Sequence, residues 1–385
     1  MVRVGARQLL TLLALVLSGC GGGTSIAVAP PPRVRTDDAA VKQTIDRLAD
    51  AVANDRHPMA SLEAMSDLGQ IMRYDGSKNT ERYLPAVDPL IQLLGVGGVF
   101  RRNAMWAEDA LLSIGVPAIP ALLEATSAPA YHTRAAAARV LVKMKPLPKG
   151  TTAALARHCI DKDDWVRESA YQCLGKLGER AKPAIDILTE EASSTDYRRR
   201  LFARLALVRV TGEASPHVED IASFLKRPDA RKQGLAAELL GECGPIAHAA
   251  CPQLLLYIQD DKSWHRRMAV RSLGKIGPES DEAVSVLINV LEEDRWEPMR
   301  ADAARALGAI GPRARPAIPA ITMALRKLDS APEDRARGWG HVVDALAKIG
   351  GDDARDALED IRTNGNPGLR EAASSALEDV GGENQ

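Results

Sequence analysis

The sequence predicts an all-α fold, a right-handed solenoid of about nine helical hairpins, and three observations carry that prediction. A short block recurs at intervals of roughly 33 residues along the chain. Within each block the apolar positions follow helical rather than alternating periodicity. The blocks close on glycine, and in Gly244-Pro245, Gly277-Pro278 and Gly311-Pro312 a proline follows directly, which stops a helix sharply. Aromatic residues make up only 4% of the chain, as expected when small side chains let helices approach closely and leucine and isoleucine supply most of the buried apolar area.

Taken in chain order, the first element is a leader. Arg3 and Arg7 precede an apolar run from Leu9 to Leu17, too short to span a bilayer, and small residues follow. The sequence Leu17-Ser18-Gly19-Cys20 resembles the lipobox of bacterial lipoproteins. That resemblance implies cleavage before Cys20, lipidation of its thiol, and a location at the bacterial cell envelope, lipid-anchored to a membrane and facing the periplasm or exterior. Two or more acyl chains give stable attachment without a transmembrane helix. Residues 1–19 are therefore expected to be a signal peptide, and residues 20–36, with Gly21 to Gly23 and Pro30 to Pro32, a flexible then extended tether. The chain carries 50 basic and 51 acidic residues. Losing Arg3 and Arg7 with the leader tips it slightly acidic, which argues against a nucleic-acid partner.

The repeat follows. Five copies are clear: VRESAYQCLGKLG (166–178), KQGLAAELLGECG (232–244), HRRMAVRSLGKIG (265–277), MRADAARALGAIG (299–311) and LREAASSALEDVG (369–381). Weaker copies lie around 104–115, 134–144, 200–210 and 339–350. In the first clear copy Val166, Ala170, Cys173, Leu174 and Leu177 share one helical face. Second amphipathic runs lie between copies, at 117–125, 183–191, 283–291 and 316–325, so each unit reads as a helical hairpin. Residues 37–95 hold N-terminal hairpins that match only in periodicity, 96–381 the repeat solenoid, and 382–385 a tail.

The arginine, the alanine three residues on and the Leu-Gly-x-Ile/Leu-Gly ending, as in Arg266, Ala269 and Leu273 to Gly277, resemble the HEAT repeat, particularly the HEAT-like repeat of phycobilisome lyases. In that family Asp and Arg of successive turns commonly form a ladder. The resemblance therefore implies a structural ladder through Arg134, Arg167, Arg200, Arg266, Arg300 and Arg370, with acids such as Asp163, Asp196, Asp229 and Asp294 as partners. If exposed, each such pair would contribute only ~0.5 kcal/mol. An anion track is the competing reading of the same column of charge.

Two surfaces are candidates for binding. Tyr131, Trp165, Tyr197, Trp264 and Trp296 recur near the turns. They form either the covers of neighbouring cores or an exposed edge suited to a protein or a glycan. Tyr171, Gln172, Arg267, Arg271, Lys275 and Arg305 fall off the buried stripe of the second helices, giving either a solvated face or a basic groove for an acidic partner. Catalytic signals are missing: the seven histidines are scattered and no nucleophile elbow or metal-ligand spacing occurs. No metal or other cofactor is expected. Cys159, Cys173, Cys243 and Cys251 read as free thiols, with a Cys243–Cys251 bridge the alternative in an oxidising compartment. The function expected is that of a membrane-anchored scaffold or adaptor for protein partners, not an enzyme. Glycan or peptidoglycan binding, or a lyase-type activity, are the alternatives.

Overall fold

Helix follows helix in pairs throughout the computed structural model, which describes residues 35–54, 58–75, 80–95, 101–259, 265–277, 280–327 and 339–382. The pairs are α1 (Asp38–Ala53) with α2 (Pro58–Tyr74), α3 (Val87–Leu94) with α4 (Arg101–Ile114), α5 (Ile119–Ala125) with α6 (Tyr131–Lys143), and α7 (Thr151–His158) with α8 (Asp164–Leu177). They continue as α9 (Ile185–Glu191) with α10 (Tyr197–Thr211), α11 (His217–Ser223) with α12 (Ala230–Cys243), and α13 (Cys251–Gln259) with α14 (Arg266–Ile276). The last are α15 (Asp281–Glu293) with α16 (Glu297–Ile310), α17 (Ile318–Arg326) with α18 (Gly340–Ile349), and α19 (Asp352–Asn364) with α20 (Pro367–Gly382). Among the described residues this makes ten hairpins, one more than the repeat pattern shows, because α1 and α2 carry only its periodicity. The division expected at residue 95 falls between α3 and α4, which pack as one hairpin. Cys20, with the leader and most of the tether, lies outside the described residues, as do Trp264 and the last residues of the tail.

Helix boundaries follow from local chemistry. Asp163, Asp196 and Asp229 cap α8, α10 and α12, each carboxylate accepting backbone N–H groups of the first turn at 2.8–3.2 Å. At the other end, Gly244 (φ 65) and Gly277 (φ 65) take conformations that a side chain would strain. After several of these glycines a 3-10 turn, such as Gly178–Ala184 or Gly311–Ala317, leads into the next unit. The outer helices α9 and α17 therefore begin two residues after the prolines Pro183 and Pro316 that the amphipathic pattern marks.

Even-numbered helices pack side by side in one layer and odd-numbered helices in the other, and the even layer is the more intimate. The penultimate glycine of the repeat explains why. A Cβ on Gly308 would lie 2.6 Å from the Cα and Cβ of Ala345, and one on Gly274 only 2.9 Å from the Cα of Ala306. Gly241 meets Ser272 in the same way, 2.9 Å from its Cα. Four successive inner helices, α12, α14, α16 and α18, thus touch backbone to backbone at three interfaces, at sites where no larger residue fits. Closer packing on one side bends a stack of repeats toward that side, so the even helices form its inner face.

Two apolar clusters fill the interior, one from Val41 to Met144 and one from Ala138 to Ala376. They share α6, whose Ala136, Ala137 and Val140 face the first while Ala138 faces the second. Beside this junction His158, only 4% exposed, places Nε2 2.7 Å from the Thr126 carbonyl oxygen. Only the neutral or protonated Nε2–H can donate there, and Nδ1 has no partner. Burial, joined by the charges of Arg134 and Arg157, holds the ring below the ordinary histidine pKa against the pull of Asp161 and the Thr126 bond. Since the unfolded chain then binds the proton more readily, stability is complete above the unfolded value of about 6.5 and falls as the pH drops below it. Melting temperatures measured from pH 7.5 to 5 should decline, and His158→Gln, which keeps a donor for Thr126, should flatten that decline; an unchanged slope would rule His158 out as its source.

Candidate partner-binding groove

The basic side chains expected along the groove are gathered by one aspartate. Asp302 lies on α16 with a side chain wholly shielded from solvent. Its Oδ2 accepts from Arg267 Nε and, at 2.8 Å, from Arg271 Nε, both on α14, while Oδ1 accepts from Arg305 Nη2. The three arginines remain 24%, 42% and 44% exposed. The Arg267 guanidinium also sits over the Trp296 ring, 5.4 Å from its centroid. Three positive charges share one negative charge. Burial and then the neighbouring guanidiniums push Arg271 and Arg305 below the ordinary arginine value, partly offset at Arg271 by Glu238.

One turn further along α14, Lys275 donates to Glu242 at 2.5 Å, and Arg209 of α10 holds the same carboxylate at 2.8 Å. Lys275 first and then Arg209 keep the Glu242 carboxyl below the usual range against partial burial. The exposed stripe of α14 is therefore Arg267, Arg271 and Lys275, one residue per turn, with Arg305 beside it.

Tyr171 does not belong to this surface. It is 1% exposed, and its hydroxyl lies 2.7 Å from Glu191 Oε2 and 3.1 Å from the Cys159 carbonyl oxygen. In the repeat it occupies the slot of Ala237, Val270 and Ala304, all fully buried. The groove position is its neighbour Gln172, one residue on and about 100° around the helix. Burial and the Glu191 bond push the Tyr171 hydroxyl well up, while Arg199 and Tyr171 hold Glu191 low in spite of burial. This is a polar core network joining α8, α9 and α10.

The expected ladder is partly realised. Arg134 grips Asp161 with two bonds of 2.8 Å, and Arg266 pairs with Asp294 at 2.6 Å, each reaching the turn of the next unit. These rungs are buried rather than exposed: their side chains are 5–13% accessible. Arg200 reaches forward too, but to Asp220 on helix α11, shared with Arg204. Arg167 and Arg300 instead donate to the carbonyls of Asp161 and Asp294, six residues back in their own turns, and Arg167 also pairs with Asp164. Arg370 is exposed on the last described helix. Asp163, Asp196 and Asp229 serve as helix caps instead of rungs, whereas Asp294 accepts the Trp296 backbone N–H at 2.9 Å and makes its rung as well. Gln233, which replaces the arginine in its copy, still ties the chain by donating to the Leu225 carbonyl at 2.9 Å.

The aromatic edge divides. Trp165 (53% exposed) and Tyr131 (39%) stand open around a shallow hollow with His132, Lys162, Asp163 and Asp164. Tyr197 and Trp296 are packed against the core, under Lys232 and Arg267 respectively. A separate cavity of about 590 Å³ lies between α2 and α4, lined by Met65, Met72, Tyr83, Trp106 and Asp109 among others. The four described cysteines are free, and burial pushes Cys243 up to about 12 and Cys251 up to about 11, so neither is a thiolate at neutral pH.

Stacked helical hairpins bound by interunit rungs, with a charged inner face, define an α-solenoid of the repeat class. The family of HEAT repeats matches residues 119–208 and 218–308, and the PBS lyase HEAT-like repeat matches residues 299–327. The chain belongs to the HEAT-repeat family. Among solved structures it is similar to the karyopherin Kap121p bound to the SUMO protease Ulp1p, with a TM-score of 0.61 at 13% identity over 89% of this chain and 44% of that one. Kap121p alone gives 0.49 at 12% identity over 87% and 45%, and an engineered protein 0.39 at 17% over 91% and 96%. The chain spans less than half the length of Kap121p, and the likeness is one of fold. The sequence has no significant match among curated proteins.

Proposed function

We propose that this protein is a non-enzymatic scaffold that binds protein partners along its inner helices at the bacterial cell envelope, held there by a lipid on Cys20. The observation that carries the binding reading is the inner-face cluster of Arg267, Arg271 and Arg305, three partly exposed guanidiniums ordered by a single buried carboxylate. Side chains fixed in place before binding lose little entropy on contact, the condition under which a surface gains affinity. The tether rests on the resemblance of Leu17-Ser18-Gly19-Cys20 to a lipobox and on the glycine- and proline-rich stretch after it.

The test is co-purification from detergent-solubilised membranes, with the native chain beside Cys20→Ser. A stoichiometric protein partner with both forms, and loss of Cys20→Ser from the membrane fraction, is the expected result. Absence of a partner from both would overturn the scaffold reading, and membrane retention of Cys20→Ser would overturn the tether. Capture of glycan without protein would instead favour the open Tyr131 and Trp165 edge, whose flanking Asp163, Asp164 and Lys162 suit sugar hydroxyls.

A further inference from the structure

We propose that the Arg267, Arg271 and Arg305 cluster receives an acidic polypeptide segment lying extended along α14, its carboxylates entering between guanidiniums that Asp302 holds in position. This rests on the scaffold reading and adds to it the chemistry of the partner.

Supply and demand of hydrogen bonds come first. Each guanidinium offers five N–H donors, whereas Asp302 has two oxygens, and among the described residues it is the only carboxylate paired with these three arginines. Most of their donors are left for groups arriving from the groove. Asp302 ties Arg267 and Arg271 of α14 to Arg305 of α16, and the Trp296 ring backs Arg267. The fork geometry is therefore set in advance, and guanidinium forks match carboxylates in bidentate fashion.

Spacing comes second. Arg267, Arg271 and Lys275 recur every four residues of helix, about 6 Å apart along the axis. In an extended peptide, side chains on one face recur every second residue, about 6.6 Å apart. A segment with acids at alternate positions would therefore place successive carboxylates against successive basic side chains of α14.

The surroundings decide between classes of anion. Glu238 and Glu242 project from α12 beside the stripe, and Glu242 already engages Lys275. A broad polyanion such as a nucleic acid or an anionic bilayer would meet those acids, whereas a single strand with discrete carboxylates can run along α14 beside them. Incoming carboxylates would also relieve the mutual repulsion of the three guanidiniums.

Fluorescence anisotropy on the full chain, with a labelled peptide of alternating glutamate and glycine, tests this. The glutamate peptide should bind at low salt, and the glutamine version should not. Arg271→Gln and Arg305→Gln should each weaken binding roughly tenfold, and Arg271→Lys, which keeps the charge but loses the fork, should fall between. Lys176→Gln, removing an exposed charge from α8, should leave affinity unchanged. Both arginines are over two-fifths exposed, so the variants should fold, and circular dichroism melts verify it. Equal binding by all variants, or binding only of inorganic polyphosphate or phosphatidylglycerol vesicles, overturns the proposal. The two readings fail separately: a co-purifying partner retained undiminished by Arg271→Gln and Arg305→Gln sinks the acidic site and leaves the scaffold standing, whereas no partner with the native chain sinks the scaffold.

Discussion

Asp294→Ala should destabilise the seventh and eighth hairpins by about 3–5 kcal/mol, the range for removing one partner of a buried ion pair. Asp294 is 5% and Arg266 9% accessible at the side chain, and they meet at 2.6 Å across the interface between these units. The substitution removes both this ion pair and the bond that the Asp294 carboxylate accepts from the Trp296 backbone N–H at 2.9 Å, in a place that little water reaches. The effect should far exceed that of Asp360→Ala, which breaks an ion pair whose arginine, Arg326, is 64% exposed, because solvent screens such a surface pair. Urea unfolding reads the difference, and hydrogen exchange should place the loss at α14 and α16, because repeat arrays open locally. A double-mutant cycle with Arg266→Ala should return a strong coupling. Costs of equal size at Asp294 and Asp360 would show that the rung is solvated and energetically idle.

Gly308→Ala should lower stability by about 1–3 kcal/mol, while the same substitution at Gly69 should raise it by about 0.5–1 kcal/mol. Both glycines lie within helices, where alanine is intrinsically preferred. At Gly69 the added methyl meets nothing within 4 Å, so the propensity gain is kept. At Gly308 it would overlap Ala345 at 2.6 Å, and the obstacle is backbone as well as Cβ, so α16 and α18 must separate. Paired thermal melts give the two signs directly. Stabilisation at both positions would mean that the inner helices are not in backbone contact.

Much of this organisation was legible because repetition turns position into information. The Leu-Gly-x-Ile/Leu-Gly ending marked the ends of α14 and α16 closely, and the helical periodicity of Val166, Ala170, Cys173, Leu174 and Leu177 put all five in the interior or at its edge. What the pattern could not convey was the use each residue makes of its neighbours in the next unit. Gly274 and Gly308 read as parts of a helix ending, yet they are the points where the inner helices touch. Asp163, Asp196 and Asp229 read as ladder acids but serve as caps of α8, α10 and α12, whereas the rungs are made by Asp161 and Asp294, each of which holds a backbone amide and the arginine of the preceding unit together.

At the groove the difference is finer. Tyr171 and Gln172 are adjacent in sequence and both read as groove positions, but they lie about 100° apart on α8, and only Gln172 is exposed while Tyr171 is in the core. Asp302 was missed altogether, although its signal was present. It occupies the repeat slot filled elsewhere by Ser169, Leu235, Met268 and Ala372, and a lone acid in an otherwise uncharged slot marks a buried charge that needs partners. The aromatic positions gave no means of telling open from covered: Trp165, in the first turn of α8, stands open, whereas Trp296, the N-cap of α16, lies under Arg267 of the preceding unit.

The central claim, that the inner face is where partners dock, is tested most directly by site-specific photo-cross-linking in the cell. A cross-linking amino acid would replace Gln172 or Glu238, exposed on the inner helices α8 and α12, and in a parallel strain Asn289, exposed on the outer helix α15. The account predicts a discrete adduct with the co-purifying partner from the inner positions and none from Asn289. An adduct from Asn289 alone, with silence at Gln172 and Glu238, would contradict it and move the docking surface to the opposite side of the solenoid.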